Sequence, residues 1–391
     1  MKTGAQNLLL NQFSKLKGKR VGLITNQTAR LDSLHLVDAF YGAEDVELVV
    51  LFGPEHGIRG DVEDGASIGD EIDNRTSVPI YSLYGTTNKP TGDMLRNVDV
   101  LIFDIQDVGA RFYTFITTMG RAMQSAAENG IPFLVLDRPN PLGGQIVDGY
   151  VLDSLHVSGV GLYPIPVQHG MTVGEIALMI KGEDLLPGLS DLSLDVIRMT
   201  DWNREMLWSE TGLDWIPTSP NIPTFETALV YPGTCFFEGT IVSEGRGTEK
   251  PFLTIGAPWL DARKASQELT LMALPGVLFS FDEVVPRDIE GVANFPKFKD
   301  ETIQAVTIQV TDEKRFTPLI TGIALLVTAY RLAPDEIKPD FFRERWLGLL
   351  SGTDRLQNAV ESGASPFEIA ASWQEEVAAF KQRRTPYLLY D

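Results

Sequence analysis

Cysteine is almost absent from this chain of 391 residues, in which Cys235 is the only one. This scarcity excludes an internal disulfide framework and a cysteine-rich metal site. Cys235 lies in an apolar stretch, which favours a buried and unreactive thiol. The four histidines form no HxH or HExxH pair, so the pattern gives little support to a transition-metal site. We predict neither a metal nor a cofactor, although a site built from carboxylates alone stays open.

Long hydrophobic runs and excess positive charge are also missing. No window has the ~18 consecutive apolar residues that a membrane span needs, and the first residues contain no signal-peptide core. The chain as it stands is therefore expected in the cytoplasm, or in the periplasm or outside the cell if a signal has been removed. Asp and Glu outnumber Lys and Arg by 53 to 33, for a formal net charge of −20. This charge argues against nucleic acid and anionic membrane surfaces as partners.

No phosphate-binding fingerprint is present either. The first predicted strand is followed by the sequence NQTA at 26–29 and not by a glycine-rich turn, and no Walker-type sequence occurs. A nucleotide-dependent dehydrogenase or kinase is thus disfavoured. A serine hydrolase has little support as well, because the chain lacks a GxSxG elbow.

What the first 200 residues do contain is a regular alternation of β-rich runs and helical patterns. Strands are predicted at 19–25, 46–52, 79–83, 98–105 and 131–136. Helices are predicted at 112–129 and 172–181, the second beginning with Thr172 and Glu175 at capping-box spacing. Such alternation predicts an α/β fold with a doubly wound, mostly parallel sheet.

The second half has a different character. Residues 202–260 are rich in aromatic residues, proline and glycine, which predicts loops. Beyond them, helices are predicted at 262–274, 320–332, 341–350, 354–362 and 366–380, and strands at 276–285 and 305–310. We therefore predict two domains. Residues 1–240 form an α/β domain that carries most of the active site, and residues 241–391 form a smaller α+β domain that caps the cleft.

The segment LFGPEHGIRG at 51–60 is the most informative one in the chain. It places Glu55, His56 and Arg59 in a glycine-containing loop directly after a buried strand. In an open α/β sheet, ligands bind outside the carboxyl ends of the strands. Glu55 is therefore the first candidate for a catalytic residue. The alternative is a surface loop in which Glu55 and Arg59 form an ion pair.

Polar side chains follow other predicted strands as well. Because parallel strands end at one edge of the sheet, these residues are expected to converge on a pocket. The set comprises Asn26 after the first strand, Gln106, Asp107, Arg111 and Tyr113 after the fourth, and Arg138 and Asn140 after the fifth.

Three further motifs with candidate site residues come later in the sequence. QHGMT places His169 just before a predicted helix, SPNIP places Asn221 in a rigid turn, and SEGRG places Glu244 two positions before Arg246. An arginine beside a glutamate lowers the pKa of that carboxyl and keeps it ionised. Two carboxylates in separate loops are what glycoside hydrolysis needs, one as acid and the other as nucleophile or base.

These motifs together resemble the bacterial exo-β-N-acetylmuramidases, long known only as a conserved domain of unknown function. The matching segments run in order along nearly the whole chain: GLITNQTA (22–29), LFGPEHGIRG (51–60), PIYSLYG (79–85), DVLIFDIQDVGARFYTF (99–115), VLDRPNPLGG (135–144), HGMTVGE (169–175), SPNIP (219–223), YPGTCFFEGT (231–240), SEGRGTEKPF (243–252) and GAPW (256–259).

The resemblance implies a Rossmann-like N-terminal domain, a smaller C-terminal domain and a cleft between them. It also implies removal of a terminal β-linked N-acetylmuramic acid from the non-reducing end of peptidoglycan fragments. The catalytic glutamate of the family maps onto Glu55. For its partner carboxylate we choose Glu244, with Glu238 and Asp107 as alternatives.

Such a substrate accounts for the chemistry of the remaining candidates. Its lactyl carboxylate needs cations, which Arg111, Arg138 and Arg246 supply. Its acetamido group needs amide partners, for which Asn26, Gln106 and Asn221 are suited. Sugar rings pack on aromatic faces such as those of Tyr113, Tyr231 and Trp259. The other predicted substrate-binding residues are His56, Asp107, Asn140 and His169.

Two other functions stay open. A non-catalytic protein that binds muropeptides or sugars would use the same cleft, aromatic rings and arginines. An Mg²⁺-dependent phosphohydrolase would use Asp104, Asp107 and Asp137. The expected partner is a peptidoglycan-derived saccharide or muropeptide, and a homodimer is left open.

Overall fold

The computed structural model describes residues 1–54, 57–58, 71–85 and 87–391. Within these residues the strands are β1 (Lys19–Thr25), β2 (Arg30–Leu31), β3 (Leu34–His35), β4 (Val46–Gly53), β5 (Glu71–Ile72), β6 (Pro79–Ser82), β7 (Val100–Asp104), β8 (Phe133–Leu136), β9 (Asp148–Val151), β10 (Pro166–Gln168), β11 (Leu194–Ile197), β12 (Thr254–Ala257), β13 (Val277–Val284) and β14 (Ile303–Val310).

The α-helices of the same part of the chain are α1 (Gly4–Leu10), α2 (Leu36–Tyr41), α3 (Gly92–Leu95), α4 (Phe115–Glu128), α5 (Val173–Gly182), α6 (Trp208–Thr211), α7 (Phe225–Thr234), α8 (Ala262–Leu271), α9 (Pro318–Leu332), α10 (Trp346–Ser351), α11 (Arg355–Glu361), α12 (Pro366–Ala371) and α13 (Gln374–Arg384). A 3₁₀ turn at Cys235–Gly239 follows α7 directly.

The main sheet has the strand order β11-β8-β7-β1-β4-β6-β5. Every neighbouring pair is parallel except β5 and β6, which are antiparallel. The chain passes from β1 to β4 on one side and returns to β7 on the other, so the strand order reverses between β1 and β7. All five residues of β7 are buried, because helices cover both faces of the sheet.

The predicted α/β class with a mostly parallel, doubly wound sheet is confirmed. The five predicted strands correspond to β1, β4, β6, β7 and β8, with ends that differ by up to two residues. The capping box before α5 is also confirmed. The Thr172 hydroxyl accepts a hydrogen bond from the Glu175 backbone N–H, and the Glu175 carboxylate accepts one from the Thr172 N–H.

A second, smaller part follows in the chain. Its antiparallel sheet has the order β12-β14-β13, and the helices α8 and α9 pack against each other beside it. The predicted α+β character of this part of the chain is therefore confirmed. The boundary that we predict between residues 240 and 241 stays a prediction.

Three predictions in this half were wrong in detail. The region predicted as loops, residues 202–260, contains α7 and β12. They were not predicted because the region is rich in proline and glycine. The helix predicted at 341–350 begins only at Trp346. The helix predicted at 366–380 is two helices, α12 and α13, because the chain turns at Trp373 to bury that indole.

Candidate active site

Two adjoining cavities lie between the end of the main sheet and the second part of the chain. The inner cavity, of about 330 Å³, is lined by aromatic residues that include Tyr84, Tyr113, Tyr231 and Phe252. The outer cavity, of about 320 Å³, is lined by Glu244, the loop from Val292 to Lys297, and Arg343. Glu238, Arg246 and Trp346 line both, so the two cavities adjoin, and we refer to them together as the cleft.

The carboxyl end of β4 lies next to the inner cavity. Gly53, the last residue of β4, pairs with Ser82 of β6, and its carbonyl accepts a hydrogen bond of 2.8 Å from the Leu83 N–H. Tyr84 follows at once and lines the inner cavity. The strand that leads into the FGPEHG motif is therefore directed toward the cleft, as the sequence predicts for a ligand site.

Two carboxylates of the cleft contact one guanidinium. Arg246 Nη2 lies 2.8 Å from Glu238 Oε1, and Arg246 Nε lies 3.6 Å from Glu244 Oε1. Glu238 reaches this position from the 3₁₀ turn after α7. Glu244 and Arg246 come from a loop that Gly245 and Gly247, with φ of +82° and +78°, allow to fold tightly on itself.

Lys297 fixes Glu244 from the outer cavity. Its ammonium donates hydrogen bonds of 2.7 Å to Glu244 Oε2 and to the Phe237 carbonyl, and one of 2.8 Å to the Val242 carbonyl. The lysine thus joins the loop of residues 285–302 to both carboxylate-bearing segments. Nothing in its local sequence marks it, and it lies 53 positions from Glu244, so this contact is not predictable from the sequence.

The environments of the two glutamates shift their pKa values in opposite directions. Burial raises the pKa of Glu238, and the attraction of Arg246 offsets only part of this effect. Burial also acts to raise the pKa of Glu244, but Lys297 and Arg246 together outweigh it and lower that pKa. Of these two neighbouring carboxyl groups, Glu238 therefore holds its proton more readily than Glu244 does.

Several predicted binding residues line the cleft or support it. Tyr113 and Tyr231 face the inner cavity, and the Tyr113 hydroxyl donates a hydrogen bond of 2.7 Å to Thr218 Oγ1. Asn221 is buried, and its side-chain amide donates to the Val292 carbonyl at 2.7 Å. It therefore links the SPNIP turn to the loop that lines the outer cavity.

The other two arginines that we predicted as substrate ligands, Arg111 and Arg138, form hydrogen bonds within the protein. Arg111 is buried and donates to the backbone carbonyls of Tyr150, Ile165 and Leu350, an environment that lowers its pKa to about 9 through burial. Arg138 forms a buried, two-pronged pair with Asp104 at 2.5 and 2.9 Å. This geometry favours structural roles for both residues over a contact with a lactyl carboxylate.

Asn26, Gln106 and Arg138 also follow strands of the main sheet, but they do not line the cleft. Asn26 Oδ1 accepts hydrogen bonds from Thr28, and the Gln106 amide donates to the carbonyls of Asp107 and Pro139. Gln106 and Arg138 line a separate cavity of about 360 Å³ beside Trp208. The predicted set is therefore divided between two regions. The segment before Asn221 borders both, because Ile216 lines the separate cavity and Ser219 lines the inner one.

Three other predicted residues are held within the protein. Asp107 accepts a hydrogen bond of 2.7 Å from the Gly109 N–H, and burial raises its pKa to about 7. Asn140 bridges the Leu142 N–H and the Met171 carbonyl. His169 is buried and accepts from the Met171 N–H, and burial lowers its pKa to about 3, so the ring is neutral. These contacts favour structural roles.

Glu55 and His56 lie outside the described residues, so their predicted roles stay predictions. Trp259, predicted to support a sugar ring, packs instead against Phe341, with ring centroids 6.2 Å apart. The aromatic residues of the outer cavity, Trp346 and Phe295, were not predicted from the sequence, and neither were Tyr84 and Phe252 of the inner cavity.

Within the described ranges of the chain, no helix is long and apolar enough to span a membrane. In the same residues, no group of three or more His, Cys, Asp or Glu side chains is arranged to hold a metal ion.

Comparison with known proteins agrees with the resemblance seen in the motifs. Residues 21–226 match the N-terminal family model of exo-β-N-acetylmuramidase NamZ, and residues 229–390 match its C-terminal model. The peptidoglycan β-N-acetylmuramidase NamZ of Bacillus subtilis (strain 168) is 44% identical over 391 residues, which cover 100% of this chain and 91% of that protein.

Solved structures give the same result for the fold. Two crystal structures of DUF1343 family proteins from Bacteroides fragilis NCTC 9343 superpose with TM-scores of 0.88 and 0.83. Each is 36% identical in sequence and is matched over 100% of this chain and 99% of the other. The chain therefore belongs to the NamZ family of exo-β-N-acetylmuramidases, which are glycosidases, with both of the family's domains present.

Proposed function

We propose that the protein hydrolyses the β-glycosidic bond of a terminal N-acetylmuramic acid at the non-reducing end of peptidoglycan fragments. The observation that carries the proposal is the cleft in which Glu238 and Glu244 share Arg246 beside the end of β4. A peptidoglycan-derived substrate is what the name of the Bacillus subtilis relative states for that protein. The carboxylates and the family membership therefore support the same reaction.

In this proposal Glu55 is the general acid and base. It follows Pro54, one residue beyond the end of β4, and that end lies beside Tyr84 and the inner cavity. A general acid protonates the oxygen of the leaving sugar as the glycosidic bond breaks. The inner cavity, walled by aromatic rings, is the place for the N-acetylmuramic acid ring itself.

Glu244 is the proposed partner carboxylate. Its lowered pKa keeps it ionised, and an anion is needed either to attack the sugar or to activate a water molecule. Glu238 is the alternative, but burial raises its pKa, so it is the less readily ionised of the two. Arg246 lines both cavities and is the one of the three predicted arginines that we retain for the lactyl carboxylate.

The substitution Glu55→Gln tests the proposal directly. It should lower kcat on the disaccharide N-acetylmuramyl-β-1,4-N-acetylglucosamine at least about 100-fold, because the leaving sugar is then not protonated. The loss of kcat/KM should be much smaller on a dinitrophenyl β-N-acetylmuramide, whose leaving group departs without a proton. Steady-state kinetics on both substrates measure the difference.

Matched variants complete the experiment. Glu244→Gln should lower kcat on both substrates alike, and Glu238→Gln should lower it less than Glu244→Gln does. Glu205→Gln changes an exposed glutamate and should leave both rates unaltered. Near-full activity of Glu55→Gln on the disaccharide would refute the assignment. A wild-type protein that binds these sugars but releases no product would instead establish the non-catalytic alternative.

Which peptidoglycan fragments the protein takes as substrate is also part of the proposal. The inner cavity accommodates a terminal sugar, and we propose that fragments carrying a free non-reducing N-acetylmuramic acid are the substrates. A homodimer stays an open alternative.

A further inference from the structure

Phe295 occupies an unusual position at the mouth of the cleft. Its side chain is 84% exposed, although it lines the same outer cavity as Glu238, Glu244 and Arg246. Its φ of +51° lies in the left-handed region, which is disfavoured for a bulky residue. Exposure of an aromatic ring and a strained backbone both cost free energy, so the surrounding structure must hold the residue in place.

The loop around Phe295 is tied down on both sides of the ring. The Phe295 N–H donates a hydrogen bond of 2.8 Å to Asp288, and the same carboxylate pairs with Lys299. The Lys299 ammonium lies 5.3 Å from the centroid of the Phe295 ring. The ring therefore has a fixed backbone and a charged neighbour on one side, while most of its surface faces solvent.

The same loop is joined to the proposed catalytic carboxylates. Two residues after Phe295, Lys297 donates to Glu244 Oε2. Between them, Pro296 packs against Gly247 so closely that a Cβ at Gly247 would lie 2.6 Å from the proline ring. The Arg287 N–H donates to the Gly247 carbonyl at 2.8 Å. The position of Phe295 is thus set relative to Glu244 and Arg246.

Exposure alone does not mark a site, because Leu155 and Leu271 are exposed to the same degree elsewhere on the surface. The distinguishing facts are the location of Phe295 on the cleft and the anchoring of its strained backbone. A flat apolar surface beside a polar cleft fits the C–H face of a pyranose ring, whose hydroxyl groups remain at its edge and in water.

We infer that Phe295 is the platform for the sugar on the leaving-group side of the scissile bond, and that it selects substrates whose N-acetylmuramic acid is linked to another sugar. The inference rests on the proposed function. The inner cavity takes N-acetylmuramic acid, Glu238 and Arg246 lie where the cavities meet, and the second ring rests on Phe295 in the outer cavity.

Two substrates with the same transferred sugar separate this role from others. N-acetylmuramyl-β-1,4-N-acetylglucosamine presents a ring to the outer cavity, whereas β-N-acetylmuramyl fluoride presents only an atom. Phe295→Ala should lower kcat/KM on the disaccharide by about tenfold, and this loss should be at least about fivefold larger than the loss on the fluoride. Phe295→Trp should recover most of the disaccharide activity.

A binding measurement gives a second readout. In a Glu55→Gln background, Phe295→Ala should raise the Kd for the disaccharide more than the Kd for free N-acetylmuramic acid, as followed by calorimetry. Phe367→Ala removes an exposed ring that does not line the cleft and should change neither rates nor affinities.

The outcomes are distinct. Equal losses on the disaccharide and the fluoride would overturn the platform, because a general distortion of the site would explain them. Undiminished disaccharide hydrolysis by Phe295→Ala would overturn it as well. Failure of the wild-type protein to hydrolyse either substrate would refute the proposed function itself.

Discussion

At the scale of single residues, two cations contact different oxygens of Glu244. Lys297 lies 2.7 Å from Oε2, and Arg246 Nε lies 3.6 Å from Oε1. Burial by itself would favour the protonated carboxyl group, and the two cations reverse that preference. The ionised state of Glu244 therefore depends on the two cations beside it.

Replacing Lys297 by methionine should raise the pKa of Glu244, because the ionised carboxylate loses its closest cation while staying buried. If Glu244 must be ionised for turnover, the acidic limb of the kcat/KM profile moves to higher pH by about one unit or more. Activity at pH 8 should then exceed activity at pH 5 by a larger factor than in the wild-type protein. Initial rates between pH 4 and pH 9 measure the shift.

Lys314→Met is the matched control. Lys314 pairs with Glu210 on the surface, so its loss should leave the pH profile unchanged. If Lys297→Met lowered the rate equally at every pH, Glu244 would not be the titrating group, and Lys297 would act only through packing.

The free energy of unfolding should also depend on pH through the lowered pKa of Glu244. A carboxyl group whose pKa is lower in the folded state stabilises the fold at pH values above its unfolded pKa. That contribution is lost as the pH falls through the folded pKa of Glu244. Lys297→Met removes this part of the pH dependence.

These residues also indicate how far the sequence predicts the site. Glu244 and Arg246 are predictable because they are two positions apart in one motif. Lys297 and Phe295 are not, because their contacts arise from a long loop whose own sequence carries no chemical signature. Arg111 and Arg138 were singled out by motif, yet motifs contain buried structural arginines as readily as ligands.

At the scale of elements, Asp137 joins the end of β8 to the start of α5. Its carboxylate accepts hydrogen bonds from the Thr172 hydroxyl at 2.8 Å, the Gly174 N–H at 2.8 Å and the Tyr390 hydroxyl at 2.6 Å. Burial nevertheless raises its pKa to about 7. An acidic residue at a strand end therefore serves here as a helix anchor.

Asp137→Ala should lower the free energy of unfolding by about 3 kcal/mol, because several buried donors lose their acceptor at once. Activity per folded molecule should fall far less than in Glu55→Gln. Urea unfolding followed by circular dichroism gives the first quantity, and kinetics well below the midpoint give the second. A large loss of kcat at unchanged stability would contradict this role, because Asp137 would then act in the reaction itself.

The elements themselves were predictable where the pattern is local. Continuous apolar runs identified β7 and β8, and the Thr172–Glu175 spacing identified the start of α5. Helix α7 was missed because Pro232 lies inside it, and its stability comes from burial rather than from propensity. The break between α12 and α13 depends on the buried Trp373, which only the tertiary structure supplies.

At the scale of the whole molecule, one hydrophobic core crosses from the first part of the chain to the second. It contains Phe103 of the main sheet, Phe236 and Phe237 beside the cleft, and Leu326 of α9. Arg384 of α13 reaches back to donate to the carbonyls of Gly144, His169 and Gly170. The cleft is therefore lined by elements that share one core.

Helices α7 and α9 cross within this core in direct backbone contact. A Cβ at Gly322 would lie 2.1 Å from the Gly233 carbonyl oxygen, and a Cβ at Gly233 would lie 2.0 Å from that of Pro318. Neither backbone can move aside as a flexible side chain does. Because α7 carries Tyr231 and leads into the turn of Glu238, the spacing of these helices also sets the wall of the inner cavity.

Gly322→Ala should therefore destabilise the protein by about 1–3 kcal/mol, even though alanine is the better helix former by about 1 kcal/mol. The displacement of α7 should also raise KM, because Tyr231 and Glu238 move with it. Gly42→Ala is the matched control, since the added Cβ there lies at an ordinary 3.4 Å from its neighbour. Thermal unfolding and steady-state kinetics on the same preparations test both effects. An unchanged melting temperature for Gly322→Ala would mean that the two helices can separate without cost, and that the cleft wall is not held by their crossing.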